Sequence, residues 1–160
     1  MMFRRVPIHD VGSLDEVEQL LAAESGAVLI FDADNTLAPQ GASLEEFGAL
    51  VNGVIDRFEA VPGVARVIVL TDGAERGVPR MISRGNKPWT TRRRLGLEQT
   101  AGPIVVVGDQ IVTDGVLAWR LGATFLHLVI DDENENAEQA RMRRMGKRLM
   151  PLLFRRSDGG

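Results

Sequence analysis

The chain of 160 residues contains no cysteine, which excludes a disulfide framework, a thiolate metal site and a cysteine nucleophile. Its two histidines, His9 and His127, lie far apart in sequence, so a histidine-rich zinc site is not expected. Positive charge is not in excess: 19 Lys and Arg stand against 22 Asp and Glu, for a net charge of −3. That balance argues against a general nucleic-acid binder. No apolar run approaches the length of a membrane span. The opening "MMFRRVPIHDVGSLDEV" carries two arginines with no apolar stretch behind them, so no signal peptide is expected. There is no internal repeat and no linker. What is present is a 44% hydrophobic chain of the size of one domain with one core, expected in the cytoplasm.

Short continuous apolar runs alternate with amphipathic segments. "AVLIF" (27–31), "ARVIVL" (65–70), "GPIVVVGD" (102–109) and "TFLHLVI" (124–130) have the form of strands buried on both faces. Between them, helices are expected over 12–26, opened by Ser13 and closed by Gly26, and over 43–60, where Ser43 and Glu46 are spaced as a capping box. Further helices are expected over 113–122, closed by Gly122, and over roughly 134–150, stopped by Pro151. "DDENENAE" (131–138) reads as a solvated acidic lead-in, and residues 154–160 as a loose tail. The alternation predicts an α/β fold of three layers, a parallel sheet with helices on both faces.

Ligands of such sheets bind beyond the carboxyl ends of the strands, and the acids of this chain collect there. The first apolar run ends on Asp32, Asp34 and Thr36, the second on Thr71 and Asp72, and the third on "GDQIVTD", with Asp109 and Asp114. Lys87, in "NKPW", lies between the second and third runs. Several carboxylates this close do not all stay ionised without a cation. With oxygen ligands alone the fitting ion is hard, Mg²⁺ first among them, and Mg²⁺ that shares carboxylates is the usual partner of a phosphate. A lysine and a threonine hydroxyl suit the other phosphate oxygens.

In order, "DADNTL", "LTDG", "NKP" and "GDQIVTD" resemble the haloacid dehalogenase superfamily of aspartate-nucleophile phosphatases. "DNTLAP" and "GDQIVTD" look like its YqeG branch, which includes the mitochondrial phosphatidylglycerophosphate phosphatase of fungi. The resemblance covers roughly residues 7–130. It implies a Rossmann-like core and a Mg²⁺-dependent phosphomonoesterase. Asp32 would be the nucleophile that forms an aspartyl phosphate, and Asp34 the general acid and then base. Thr71 and Lys87 would hold the transferring phosphoryl group, with Asp72 beside them. Mg²⁺ would be held by Asp32, the backbone carbonyl of Asp34, and Asp109, with Asp114 in support. The chain departs from the family in two places. Only fifteen residues separate Thr71 from Lys87, and with Pro79 and two glycines they leave room for a short helix and no clear strand. Neither that stretch nor the one after Asp34 has room for a cap domain, so the site is expected to be open to large substrates.

Other roles compete for the same residues. Asp114 also suits a helix cap, Asp72 a turn with Gly73, and Thr36 a hydroxyl that fixes its loop. His127 reads as a packed or edge histidine, and Arg92, Arg93 and Arg94 as a solvated face. A phospho-receiver domain uses similar groups, but its first acids are adjacent, whereas Asp32 and Asp34 are spaced by one residue. A catalytically idle module acting as a binding or regulatory protein is the main alternative. In 140–156, Met142, Met145, Leu149 and Leu153 form a helical stripe flanked by Arg141, Arg143, Arg144, Lys147 and Arg148. The stripe either packs on the sheet or lies on an anionic membrane surface, where each nearby cation contributes about 1 kcal/mol. In the second case it would bring the open site to a lipid phosphate, peripheral to the membrane.

Overall fold

The continuous apolar runs become the centre of one sheet. The computed structural model describes residues 4–34, 36–37, 41–74, 76–130 and 135–157. In chain order these form β1 (Val6–Val11), α1 (Leu14–Ala22), β2 (Ala27–Asp32), α2 (Leu44–Glu59), β3 (Val64–Leu70) and β4 (Met81–Ile82). Then come β5 (Ile104–Gly108), a π-helical turn (Ile111–Gly115) that runs into α3 (Val116–Leu121), β6 (Thr124–Leu128), α4 (Ala137–Leu153) and β7 (Phe154–Arg156). The seven strands lie in the order β4-β3-β2-β5-β6-β1-β7, and every pair is parallel. The fold is a three-layer, Rossmann-like α/β sandwich.

β2 is buried along its whole length, so it needs apolar partners on both sides. Leu29 and Phe31 face α1 and α2, where Val17, Leu21, Phe47, Val51, Ile55 and Phe58 meet them. The rings of Phe31 and Phe58 stand 4.9 Å apart. Val28 and Ile30 face the opposite layer, with Leu95, Leu97, Leu117, Leu121 and Leu153. Ser43 and Glu46 close the capping box of α2 as expected, at 3.1 and 3.3 Å.

Four expectations are corrected. β1 was not foreseen, because Pro7, His9 and Asp10 break its apolar run. An edge strand does exist before Lys87: β4, only two residues long, pairs with Val69 and Leu70, and no helix forms among the described residues around it. Pro151 does not stop α4. The proline lacks the N–H that would reach Lys147, but the next turn still closes through Phe154 N–H to the Met150 carbonyl. Leu153 and Phe154 are drawn into the core, and Phe154–Arg156 pairs with β1 instead of forming a loose tail. Residues 131–134 and 158–160 lie outside the described residues; of the acidic lead-in, Asn136 caps α4 and Glu135 grips Arg143.

The basic helix packs on the sheet through part of its stripe. Leu149, Met150 and Leu153 join the second core layer, while Met145 stays exposed. Gly146 lets α4 settle onto the π-helical turn, since a Cβ there would lie 2.9 Å from the Ile111 Cβ. Gly146→Val should therefore destabilise the fold by about 1–3 kcal/mol through overpacking. An unchanged midpoint in urea denaturation would show that α4 does not rest on this turn.

Candidate active site

The chain reverses direction of growth between β2 and β5. β2 leads through α2 to β3 on one side, β5 leads through α3 to β6 on the other, and the two helices cover opposite faces. The crevice at such a switch point is where open α/β sheets bind ligands. Asp32 is the last residue of β2, and Asp109 follows the last residue of β5.

Asp114 reaches the same crevice from the π-helical turn, a form of irregularity common at functional sites. Its carboxylate lies against Gly108, where a Cβ would come within 2.3 Å of Asp114 Oδ2, and accepts from Gln110 N–H at 3.3 Å. Carboxylate oxygens of Asp32, Asp109 and Asp114 all lie within 4.8 Å of one another. Lys87 enters from the other side. Its Nζ donates to Asp32 Oδ1 at 2.5 Å and to Asp114 Oδ1 at 2.7 Å.

Lys87 is held there by backbone stitching. Gly85 N–H donates to the Thr71 carbonyl at 2.7 Å and Arg84 N–H to the Gly73 carbonyl at 2.9 Å. Asp72 Oδ1 accepts from Lys87 N–H at 2.7 Å, so Asp72 fixes the lysine's loop from an exposed position. The peptide from Lys87 to Pro88 is cis. Thr36 Oγ1 lies 3.5 Å from Asp32 Oδ2, in keeping with a hydroxyl that fixes the loop.

Asp34 turns elsewhere. Its Oδ2 accepts from Thr71 Oγ1 at 2.9 Å, and Arg76 grips both oxygens, at 2.9 Å to Oδ1 and 3.2 Å to Oδ2. Its carboxylate is therefore not part of the three-acid cluster. Arg76 was not anticipated; a lone loop arginine among many carries no signal. His127, expected only to pack, stands with Nδ1 3.0 Å from Asp10 Oδ1 and Nε2 3.2 Å from the Asp109 carbonyl, bracing Asp109 from behind.

Burial raises Asp32 well above the usual carboxylate range, and the charge of Asp114 adds to it against the pull of Lys87. Burial and Asp114 raise Asp109 to about 6. Burial also raises Asp114, opposed by Lys87. For Lys87, burial works to lower the value, but Asp114 and Asp32 outweigh it and hold the ammonium firmly protonated. The donor set, three carboxylates with no nitrogen or sulfur ligand, suits a hard divalent cation such as Mg²⁺.

No protein-family model, no curated protein and no solved structure matches the chain.

Folded Asp109 keeps its proton to about pH 6, whereas the unfolded chain releases it at the ordinary carboxyl value. Folding thus takes up protons in that window, and metal-free stability should fall as pH rises through it. Mg²⁺ binds the ionised acids, so it should raise the melting temperature more at pH 7.5 than at pH 5. Thermal melts with and without Mg²⁺ check this; an equal rise at both pH values would refute a carboxylate cation site.

Proposed function

We propose that this chain is a Mg²⁺-dependent phosphomonoesterase that works through an aspartyl phosphate on Asp32. The observation that supports it best is the convergence of Asp32, Asp109, Asp114 and Lys87 on the switch-point crevice, with Thr71 and Asp34 beside them. The resemblance of "DADNTL" and "GDQIVTD" to the haloacid dehalogenase phosphatases points the same way.

Asp32, Asp109 and Asp114 would hold the metal, with the Asp34 carbonyl alongside. When bound, the ion offsets the repulsion between carboxylate and phosphate. Lys87 and Thr71 hold the phosphoryl oxygens and orient the group toward Asp32. An Asp32 oxygen bonds to phosphorus as the bond to the leaving oxygen breaks, and Asp34 gives that oxygen its proton. A water then attacks the phosphorus, Asp34 takes the water's proton, and the bond to Asp32 breaks. The Asp34 side chain must leave Arg76 for these transfers.

The competing reading is a catalytically idle binding module. Lys87 favours it, because the ammonium satisfies Asp32 and Asp114 without a metal. Steady turnover of p-nitrophenyl phosphate separates the two. Asp32→Asn should lower turnover by roughly 10³-fold or more with the fold intact. Trapping the phosphoryl group on any other residue would sink the assignment.

The substrate fits a phosphate at a lipid surface. Leu44 opens α2 after the end of β2, and Val129 and Ile130 follow β6; all three are exposed apolar residues on the carboxyl side of the sheet, and Trp89, two residues after Lys87, is exposed as well. On α4, Arg141, Arg144, Lys147 and Arg148 are exposed with Met145 and Leu152, a cationic flank suited to anionic lipid. The protein should therefore sediment with anionic vesicles at low salt and release at high salt. Arg141→Glu with Arg144→Glu should weaken this; equal binding to neutral vesicles would end the lipid-surface reading.

A further inference from the structure

Arg76 stands on the loop after β3, beside the catalytic acids. Its two terminal nitrogens meet the two oxygens of Asp34, and its guanidinium carbon sits 4.4 Å from the centre of the Phe47 ring. A planar fork that grips one carboxylate can grip another, or a phosphate, in the same way.

Two cations serve the crevice, and they differ in access. The Lys87 side chain is 6% exposed, with its charge divided between Asp32 and Asp114. The Arg76 side chain is 27% exposed and Asp34 35% exposed. The guanidinium is thus the more accessible of the two cations.

Exchange at Arg76 strands neither partner. Asp34, 35% exposed, turns to water, and Arg76 retains the Phe47 ring. The pair is part-buried and two-pronged, so an anion replaces the carboxylate only if it reproduces both contacts to the fork.

We propose that Arg76 is a specificity-determining residue that takes a second anionic group of the substrate, apart from the phosphate at Asp32, by exchanging the Asp34 carboxylate for it. The proposal rests on the phosphomonoesterase reading in taking the first anion to be a phosphate. A phosphomonoester with an acidic group nearby is the favoured substrate class. The same exchange detaches Asp34 from its clamp, so the second anion both anchors the substrate and frees a side chain that the chemistry needs.

The test uses the full chain with Mg²⁺ and ligands that cannot be hydrolysed. Propylphosphonate offers one anionic group; phosphonoacetate, 3-phosphonopropionate and 4-phosphonobutyrate offer a second at increasing reach. By calorimetry, at least one carboxylated ligand should bind roughly tenfold tighter than propylphosphonate. Arg76→Gln should cut that ratio below about threefold with propylphosphonate affinity changed by less than about threefold, and Arg76→Lys, a point charge without the fork, should leave an intermediate ratio. No preference in the wild type, or the full preference in Arg76→Gln, would overturn the proposal. Equal loss of both ligands in Arg76→Gln would assign Arg76 a structural role and also overturn it. Should Arg76→Gln melt early, a wild-type ratio in Arg76→Lys overturns the proposal. Turnover of p-nitrophenyl phosphate is measured separately: a preserved preference without turnover rejects the hydrolase reading alone, and failure of every phosphonate to bind rejects both.

Discussion

A single ammonium holds the crevice together. Lys87 lies between Asp32 and Asp114, all three nearly sealed from water. Each of these charges would be costly to bury alone, and removing one partner from such a group typically costs about 3–5 kcal/mol. The surroundings follow from that constraint. β4, short as it is, sets the start of the loop that returns to Lys87, and Asp72, Thr71 and Gly73 fasten that loop to the end of β3. Gly108 is bare because Asp114 needs its space. The buried acids, the Lys87 ammonium and the backbone that delivers it form one unit.

The central strands were legible because a strand covered on both faces is built from an apolar run: β2 and β5 are buried along their length, and β3 and β6 keep enough of the run despite Arg66 and His127. β1 escaped because an outer position tolerates Pro7, His9 and Asp10 among buried Val6 and Ile8. β7 escaped because its three residues include two exposed arginines; only its place beside β1 makes it a strand. Asp32, Asp109, Asp114 and Thr71 could be found because each sits in a short pattern after an apolar run, and Lys87 because "NKP" stands between "LTDG" and "GDQIVTD", the order of the resemblance. Arg76 could not, since its meaning comes from Asp34, which is 42 residues away in sequence. Asp72 was legible as a turn residue, but its grip on the Lys87 backbone depends on a loop whose path no local pattern gives.

Charge is also sorted across the sheet. α1 and α2 carry Asp15, Glu16, Glu18, Glu45, Glu46, Asp56 and Glu59 on one face, and Arg57 and Arg80 offset only part of that charge. α4, on the other, carries Arg141, Arg143, Arg144, Lys147 and Arg148. A modest net charge thus conceals a molecule with two electrically different sides, and such a molecule is oriented by a charged surface before it touches it.

β7 pairs with β1, joining Val6 to Phe154 across 148 positions of sequence. The helix that leads into β7 is also the one that rests on the turn carrying Asp114. During synthesis the first strand therefore waits beside an open edge until residue 156 has left the ribosome. Contacts this distant are slow to close, and an edge left waiting is exposed to other chains in the meantime. Completion of the crevice is thus a late event in the life of the nascent chain, so a partly made polypeptide carries the acids of the site before it carries the support that α4 gives Asp114.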